Sequence, residues 1–337
     1  FEDELIRKVS EHVSPEDLSY VVMHHAEPDH SEAIPRVLST AKGAKLVASR
    51  AGAQMARQYF GVPENRILVV KEGDELDLGG KVLKFIDTPM VHWPETMMSY
   101  LAGDGILFSC DCFGSFDVPP SMLDVELPWE ELSASAKRYF IDILSPYSSS
   151  VKKALDKVKS LELAVIAPSH GPVYKQPRRI LELYEELLGG KLEDKVVIVY
   201  ATMHGRTEAM AKAVAEELCK AGVKAVLLNA SFVHPMNVLE EAYYAKAVFF
   251  GTPTFDNHVY PLVEFALRLM EVYGVKGRKS VVFGSYGWGG QAVDALARRL
   301  EDAGFEVLLR FKVRGTPTEE QLKELRAKVR EVASEVF

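Results

Sequence analysis

Cysteine is scarce. Three thiols in 337 residues, two of them flanking Asp111 in Cys110-Asp111-Cys112, cannot build a disulfide framework, so a reducing, cytoplasmic location is expected. Long hydrophobic runs are also missing. No stretch of about 18 apolar residues occurs, which excludes a transmembrane helix from the expectations. The opening FEDELIRKVS has neither a basic start nor an apolar signal region, and no initiating methionine, so the true start is expected upstream. Internal repeats and low-complexity tracts are absent. A basic surplus is lacking as well. Net charge is -8, with 19 Lys+Arg against 18 Asp+Glu from Asp194 onward and therefore 21 against 30 before it. An acidic first half argues against nucleic acid as a partner.

What is present is ample apolar material, 47% of residues, in a chain long enough for two domains. The composition shifts near Gly189-Gly190-Lys191-Leu192-Glu193, where a helical ILELYEELL gives way to the β-branched run KVVIVYA. The division expected is 1–193 and 194–337. The second part alternates strand and helix. Strands are expected at 195–201, 223–229, 246–251, 279–284 and 306–313, with helices at 206–221, 236–244, 259–273, 289–303 and 318–335. That order specifies an α/β doubly wound domain with a five-stranded parallel sheet. The first part mixes short strands (SYVVMHH, AKLVAS, RILVV, KVLKFIDTP, SYLAG, GILFSCD, LAVIAPSH) with helices near 3–13, 31–40, 51–60, 129–144 and 148–160. It reads as an α+β layered sandwich.

The segment His24-His25-Ala26-Glu27-Pro28-Asp29-His30 holds three imidazoles and two carboxylates in seven residues. Residues two apart in an extended stretch face one way, so His25 and Glu27 point together, with His24 turned away. Asp29 and His30 stand where the chain turns toward the helix at Ser31. Three later segments have the same grammar, each with a polar residue just past an apolar strand: His92, Asp111 and His170. Four imidazoles and three carboxylates suit borderline divalent metals. Charge favours two ions. Three carboxylates and a hydroxide balance two divalent cations, and Asp111, with two oxygens, is the natural bridge. Strand alternation should turn Cys110 and Cys112 to the opposite face, into the core. His12, His204, His234 and His258 are given no metal role.

The second part carries three loops at strand ends. Thr202-Met203-His204-Gly205-Arg206-Thr207 leads into a helix and offers hydroxyls, a glycine and backbone amides to a single phosphate. It is neither G-x-G-x-x-G nor a P-loop. Gly251-Thr252-Pro253-Thr254-Phe255-Asp256-Asn257 follows the third strand and Gly284-Ser285-Tyr286-Gly287-Trp288-Gly289-Gly290 the fourth. Open α/β sheets bind ligands at this edge. Tyr286 and Trp288 offer aromatic surface to a planar ring.

H-x-E-x-D-H, H-W-P-E, F-S-x-D-x-F-G and P-S-H-G-P resemble the flavodiiron proteins (A-type flavoproteins), built on a metallo-β-lactamase-like αββα sandwich. Hydrolases of that fold usually carry histidine where Glu27 stands. The loops Y-x-T-M-x-G-x-T, G-T-P-T and G-S-Y-G-W-G-G resemble those of flavodoxin. Together the two resemblances cover essentially the whole chain. They imply two non-haem Fe ions, one on His25, Glu27, His92 and Asp111 and the other on Asp29, His30, Asp111 and His170. They also imply FMN on Thr202, Met203, His204, Gly205, Arg206, Thr207, Pro253, Thr254, Phe255, Asp256, Asn257, Ser285, Tyr286, Gly287, Trp288 and Gly289. The activity implied is reduction of O2 to water, of NO to N2O, or both. Two electrons from a ferrous pair and two from reduced flavin match the four that O2 requires. The family pattern further implies a separate electron donor protein such as rubredoxin, since no Cys-x-x-Cys pair is present, and a head-to-tail homodimer or dimer of dimers; Trp93, beside His92, is the residue expected at that junction from its position alone. It places further strands upstream of residue 1, and asparagine where His24 stands. A dinuclear zinc hydrolase with an accessory flavodoxin domain is the competing reading, and an electron carrier with a scaffold domain a third.

Overall fold

A computed structural model describes residues 2–116 and 118–337. The chain divides into two compact units, Phe1–Gly189 and Gly190–Phe337.

The first unit begins with α1 (Glu2–Ser10) and β1 (Tyr20–Val22), then two short helices, α2 (Pro28–Ser31) and α3 (Ile34–Thr40). The single helix expected at 31–40 is therefore broken and starts earlier. Pro28, with φ already fixed, opens α2 behind Glu27. Pro35 has no N–H to give and its ring opposes the carbonyl of Ser31, so the two helices cannot merge. Asp29 and His30 accordingly lie inside a helical turn, not before it. Next come β2 (Lys45–Ser49), α4 (Arg50–Phe60) and β3 (Ile67–Val70), making a parallel sheet in the order β1-β2-β3. Ser49 caps α4 by accepting the Gly52 N–H.

The second sheet, in the order β4-β5-β6-β7-β8, comprises β4 (Glu75–Asp77), β5 (Val82–Asp87), β6 (Met97–Ala102), β7 (Ile106–Cys110) and β8 (Val165–Pro168). The first three pairings are antiparallel and β7–β8 is parallel. Between β7 and β8 run α5 (Trp129–Tyr139) and α6 (Ser148–Val158), and α7 (Pro177–Gly189) closes the unit. A π-helical turn, Phe140–Leu144, interrupts the helix expected at 129–144. Alternation along β2 separates the layers. Leu46 and Ala48 pack with Ile34, Leu38 and Ala56 of the helices, while Val47 meets Leu83, Phe85 and Met97 of the other sheet. The result is the αββα sandwich expected. Burying each of these side chains contributes about 1.5–3 kcal/mol before chain entropy is counted.

In the second unit five strands alternate with helices: β9 (Glu193–Tyr200), α8 (Arg206–Lys220), β10 (Lys224–Asn229), α9 (Pro235–Tyr243), β11 (Ala245–Gly251), α10 (Pro261–Val272), β12 (Lys279–Tyr286), α11 (Ala292–Asp302), β13 (Glu306–Arg314) and α12 (Glu319–Val336). All pairings are parallel, in the order β10-β9-β11-β12-β13. This is the flavodoxin-like order, with its reversal at β9 and β11. Val196 to Tyr200 are all buried, as a central strand covered on both faces requires. One face packs on Met210, Val214 and Leu218 of α8 and on Leu325, Val329 and Val332 of α12. No helix among the described residues is long and apolar enough to cross a membrane.

Candidate metal centre and flavin cavity

The seven metal-ligand candidates come from four segments of the first unit. His25 follows β1, Glu27 precedes α2, and Asp29 and His30 lie on α2. His92 lies between β5 and β6, Asp111 follows β7, and His170 follows β8. The structure brings all seven together. Asp111 stands at the centre, 1% exposed, and its two oxygens face different groups. Oδ2 lies 3.6 Å from His25 Nε2 and 3.9 Å from His92 Nε2, and Glu27 Oε2 is 3.1 Å from each of those nitrogens. Oδ1 lies 3.1 Å from His30 Nε2 and 3.3 Å from His170 Nε2, with Asp29 Oδ2 at 3.5 and 3.3 Å from the same two. His30 Nε2 is buried and makes no hydrogen bond of sound geometry among the described residues. Imidazole lone pairs and carboxylate oxygens converging on two points are the chemistry of a dinuclear cation site.

Surrounding side chains hold this set in place. His25 Nδ1 meets Glu95 Oε1 at 2.6 Å, and the Trp93 ring stands edge-on to the His25 ring at 4.9 Å. Tyr139, at the junction of α5 and the π-helical turn, donates its hydroxyl to Asp111 Oδ1 at 3.0 Å. Burial, then the charge of Asp111, pushes the Tyr139 phenol far above its ordinary range, so it keeps its proton and remains a donor. Burial would raise Asp111 too. His170 and His30 outweigh it and hold the carboxyl well below the usual carboxylate range. His24 does turn away, to Ser99 Oγ at 2.8 Å, and burial of its ring pushes it down to about 4.

Cys110 departs from expectation. Its thiol is buried but lies 3.6 Å from Asp111 Oδ2, not on the opposite face. The backbone leaves strand geometry at Cys110, where φ is 55°, so alternation no longer applies. Cys112 is fully buried.

In the second unit a cavity of about 200 Å³ opens at the strand ends. Ten of the flavin candidates line it: Thr202, Met203, His204 and Arg206 from the first loop, Pro253 and Thr254 from the second, and Ser285, Tyr286, Gly287 and Trp288 from the third. Gly205, at φ 76°, instead sets the turn into α8. Thr207 is buried and its hydroxyl bonds Ser285 Oγ at 3.0 Å. Phe255, Asp256 and Asn257 form a tight turn beyond the lining, closed by the Phe255–His258 backbone pair. A Cβ on Gly289 would stand 2.0 Å from Asn257 Oδ1, so a larger residue there would have to displace the Asn257 amide. Thr202 Oγ1 and Asn257 Oδ1 are buried without a hydrogen-bond partner among the described residues. Aromatic surface, glycine backbone and unspent polar atoms fit a flavin mononucleotide.

Comparison with known proteins decides the family. Residues 1–171 match the ODP family beta lactamase model and residues 198–328 match Flavodoxin. The chain is 34% identical over 339 residues to the anaerobic nitric oxide reductase flavorubredoxin of Escherichia coli (strain K12), covering 99% of this chain and 71% of that protein. This chain belongs to the flavodiiron family. Two solved structures agree. Rubredoxin oxygen:oxidoreductase from the anaerobe Desulfovibrio gigas superposes with a TM-score of 0.94 at 28% identity, covering 100% of this chain and 85% of that one. The flavodiiron protein from Giardia intestinalis gives 0.93 at 27%, covering 100% and 84%. An uncharacterized protein of Methanocaldococcus jannaschii is 34% identical over 324 residues, covering 95% of this chain and 82% of that protein.

Two residues of this flavodiiron centre escaped the sequence reading. Glu95 was visible only as the last letter of H-W-P-E, and Tyr139 carried no signal, since a tyrosine in an amphipathic helix reads as core. Replacing Tyr139 with Phe removes a hydrogen bond to a buried charge. It is expected to destabilise the metal-free first unit by about 1.5–3 kcal/mol, read by urea unfolding of chelator-treated protein.

Proposed function

We propose that this chain reduces O2 to water, NO to N2O, or both, at a non-haem diiron centre supplied with electrons through FMN. The observation that carries this is Asp111, whose two oxygens each serve a separate set of ligand atoms. When bound, two ferrous ions supply a binding and reducing site for a diatomic gas, and FMN supplies the relay of electrons from a donor. Of the side chains, His25, Glu27, His92 and Asp111 Oδ2 would hold one ion, and Asp29, His30, His170 and Asp111 Oδ1 the other. Their burial is graded. His25 and Asp111 sit in the interior, while the side chains of Glu27, His170 and Asp29 are 36%, 36% and 50% exposed. That gradient leaves one side of the pair open to a small substrate and keeps water from the other. Tyr139 keeps its own proton and donates it in a hydrogen bond to Asp111 Oδ1.

The names of relatives favour both gases. The Escherichia coli relative is named a nitric oxide reductase, and the Desulfovibrio gigas one a rubredoxin oxygen:oxidoreductase. On this reading the donor is a separate protein such as rubredoxin. The working form is a head-to-tail homodimer or dimer of dimers, in which one copy's flavin serves its partner's irons, and the protein works in the reducing cytoplasm, in keeping with three free cysteines. The test is anaerobic stopped-flow absorbance of fully reduced, iron-loaded protein mixed separately with O2 and with NO. Flavin and iron oxidising together, faster with one gas, supports the reading and names the preferred substrate. Oxidation no faster than that of a metal-free control rejects it.

A further inference from the structure

We infer that Glu95 is a positioning residue of the metal centre, fixing the tautomer of His25 and supplying the fourth negative charge that two divalent cations require. This rests on the diiron reading above. The two side chains meet at 2.6 Å with both fully enclosed, His25 at 0% and Glu95 at 1% side-chain exposure. The same oxygen, Oε1, accepts the Ala26 N–H at 2.8 Å. An ionised carboxylate only accepts, so Nδ1 of His25 must donate, and the proton of the neutral ring is committed to that nitrogen. Nε2 is then left with a lone pair that faces Glu27 Oε2 at 3.1 Å and Asp111 Oδ2 at 3.6 Å. An acceptor set against acceptors in a buried place is unfavourable until a cation stands between them. Glu95 thus orients His25 as a ligand.

The charge argument is independent of the tautomer. Glu95 Oε2 is buried and has no hydrogen-bond partner among the described residues. A buried carboxylate with one oxygen unspent calls for compensating positive charge nearby. Glu27, Asp29 and Asp111 carry -3 between them. Glu95 raises this to -4, which balances two divalent ions with no hydroxide. The residue is also anchored from outside the ligand loops. Its carbonyl accepts Ser49 Oγ at 2.7 Å, and Ser49 caps α4. A carboxylate behind a metal-bound histidine raises the basicity of the ligand and holds its ring, and losing such a partner typically costs about 10–100-fold in metal affinity.

Glu95→Gln separates the two effects from folding. The amide keeps the oxygen that His25 and Ala26 need, and its nitrogen takes the place of Oε2 at nearly the same volume. Ferrous and ferric affinities of chelator-stripped protein would be measured by competition with a chromophoric chelator, and the potential of the loaded iron pair by redox titration. The parent is expected to take up two irons. Glu95→Gln is expected to retain two, to bind ferric iron about 10–100-fold more weakly with a smaller loss for ferrous, and so to show a raised potential. Each tenfold change in the ferric-to-ferrous affinity ratio corresponds to 59 mV for a one-electron step. Glu95→Asp, which keeps the charge, is expected to restore the potential. Parental affinity and potential in a folded Glu95→Gln protein would overturn the inference. Failure of the parent to bind iron would overturn the diiron reading, and this inference with it.

Discussion

Asp111→Asn is expected to empty both metal positions at once and to reduce gas turnover by more than 100-fold. That exceeds the roughly 10–100-fold typical for losing a residue that only supports a ligand. Asparagine has nearly the shape of aspartate, so the buried pocket still closes around it. Its amide nitrogen carries two hydrogens, however, and directs them at one of the two points where a cation should sit. Its oxygen is neutral and serves the other point poorly. No other side chain among the described residues presents one atom to His25 and His92 and a second to His30 and His170. His170→Ala makes the contrast. It strips a ligand from one group only, so about one iron per chain should remain. Elemental analysis of the purified variants decides the matter. Two irons retained in Asp111→Asn would show that the two groups do not share a bridge.

The second unit was almost wholly legible in sequence because its physics is local. A strand buried on both faces has to be a continuous run such as VVIVY, and the helices between strands show their own period. The observed bounds of its strands fall within two residues of those expected, and its helices within three. The first unit was less legible where the chain departs from regular geometry. Nothing in the composition of β4, three residues of which two are acidic, marks a strand; it exists because β5 offers it an edge. Pro35 split a helix whose apolar pattern ran through it. Cys110 faces Asp111 because one backbone angle leaves the strand region.

The site divides in the same way. Histidine and carboxylate in quick succession after a strand are conspicuous, since so many polar groups at a buried position demand a purpose. Glu95 and Tyr139 are different. They meet their partners across 70 and 28 residues, and only the folded sheets bring them near. Ligand atoms can be read from residue type and spacing, whereas the groups that aim them depend on tertiary contact. The flavin loops follow this too. Their sequences marked the right edge of the sheet, but which residues line the cavity and which merely shape it, as Thr207 and Gly205 do, was decided by packing.

Gly284→Val is expected to abolish flavin retention while leaving the iron content of the first unit unchanged. Gly284 lies in β12 where the loop after β11 is stitched to it. Thr252 donates its N–H to Phe283 O at 2.9 Å, and Thr254 donates to Ser285 O at 3.0 Å. A Cβ on residue 284 would stand 1.9 Å from the Thr252 carbonyl oxygen and 3.0 Å from Val293. The oxygen belongs to backbone held on both sides, so it cannot swing aside as a flexible side chain would. The loop carrying Pro253 and Thr254 must then part from the one carrying Ser285 to Trp288, and these two loops form most of the cavity wall. Overpacking of this kind costs about 1–3 kcal/mol in stability, and a cavity that has lost its shape also loses the preorganisation on which affinity depends. Flavin fluorescence released from the purified variant, iron content and a thermal melt together give the answer. Loss of flavin with two irons retained and a melting transition still present is the expected pattern. Full flavin content in a stable variant would mean that the cofactor does not occupy this cavity.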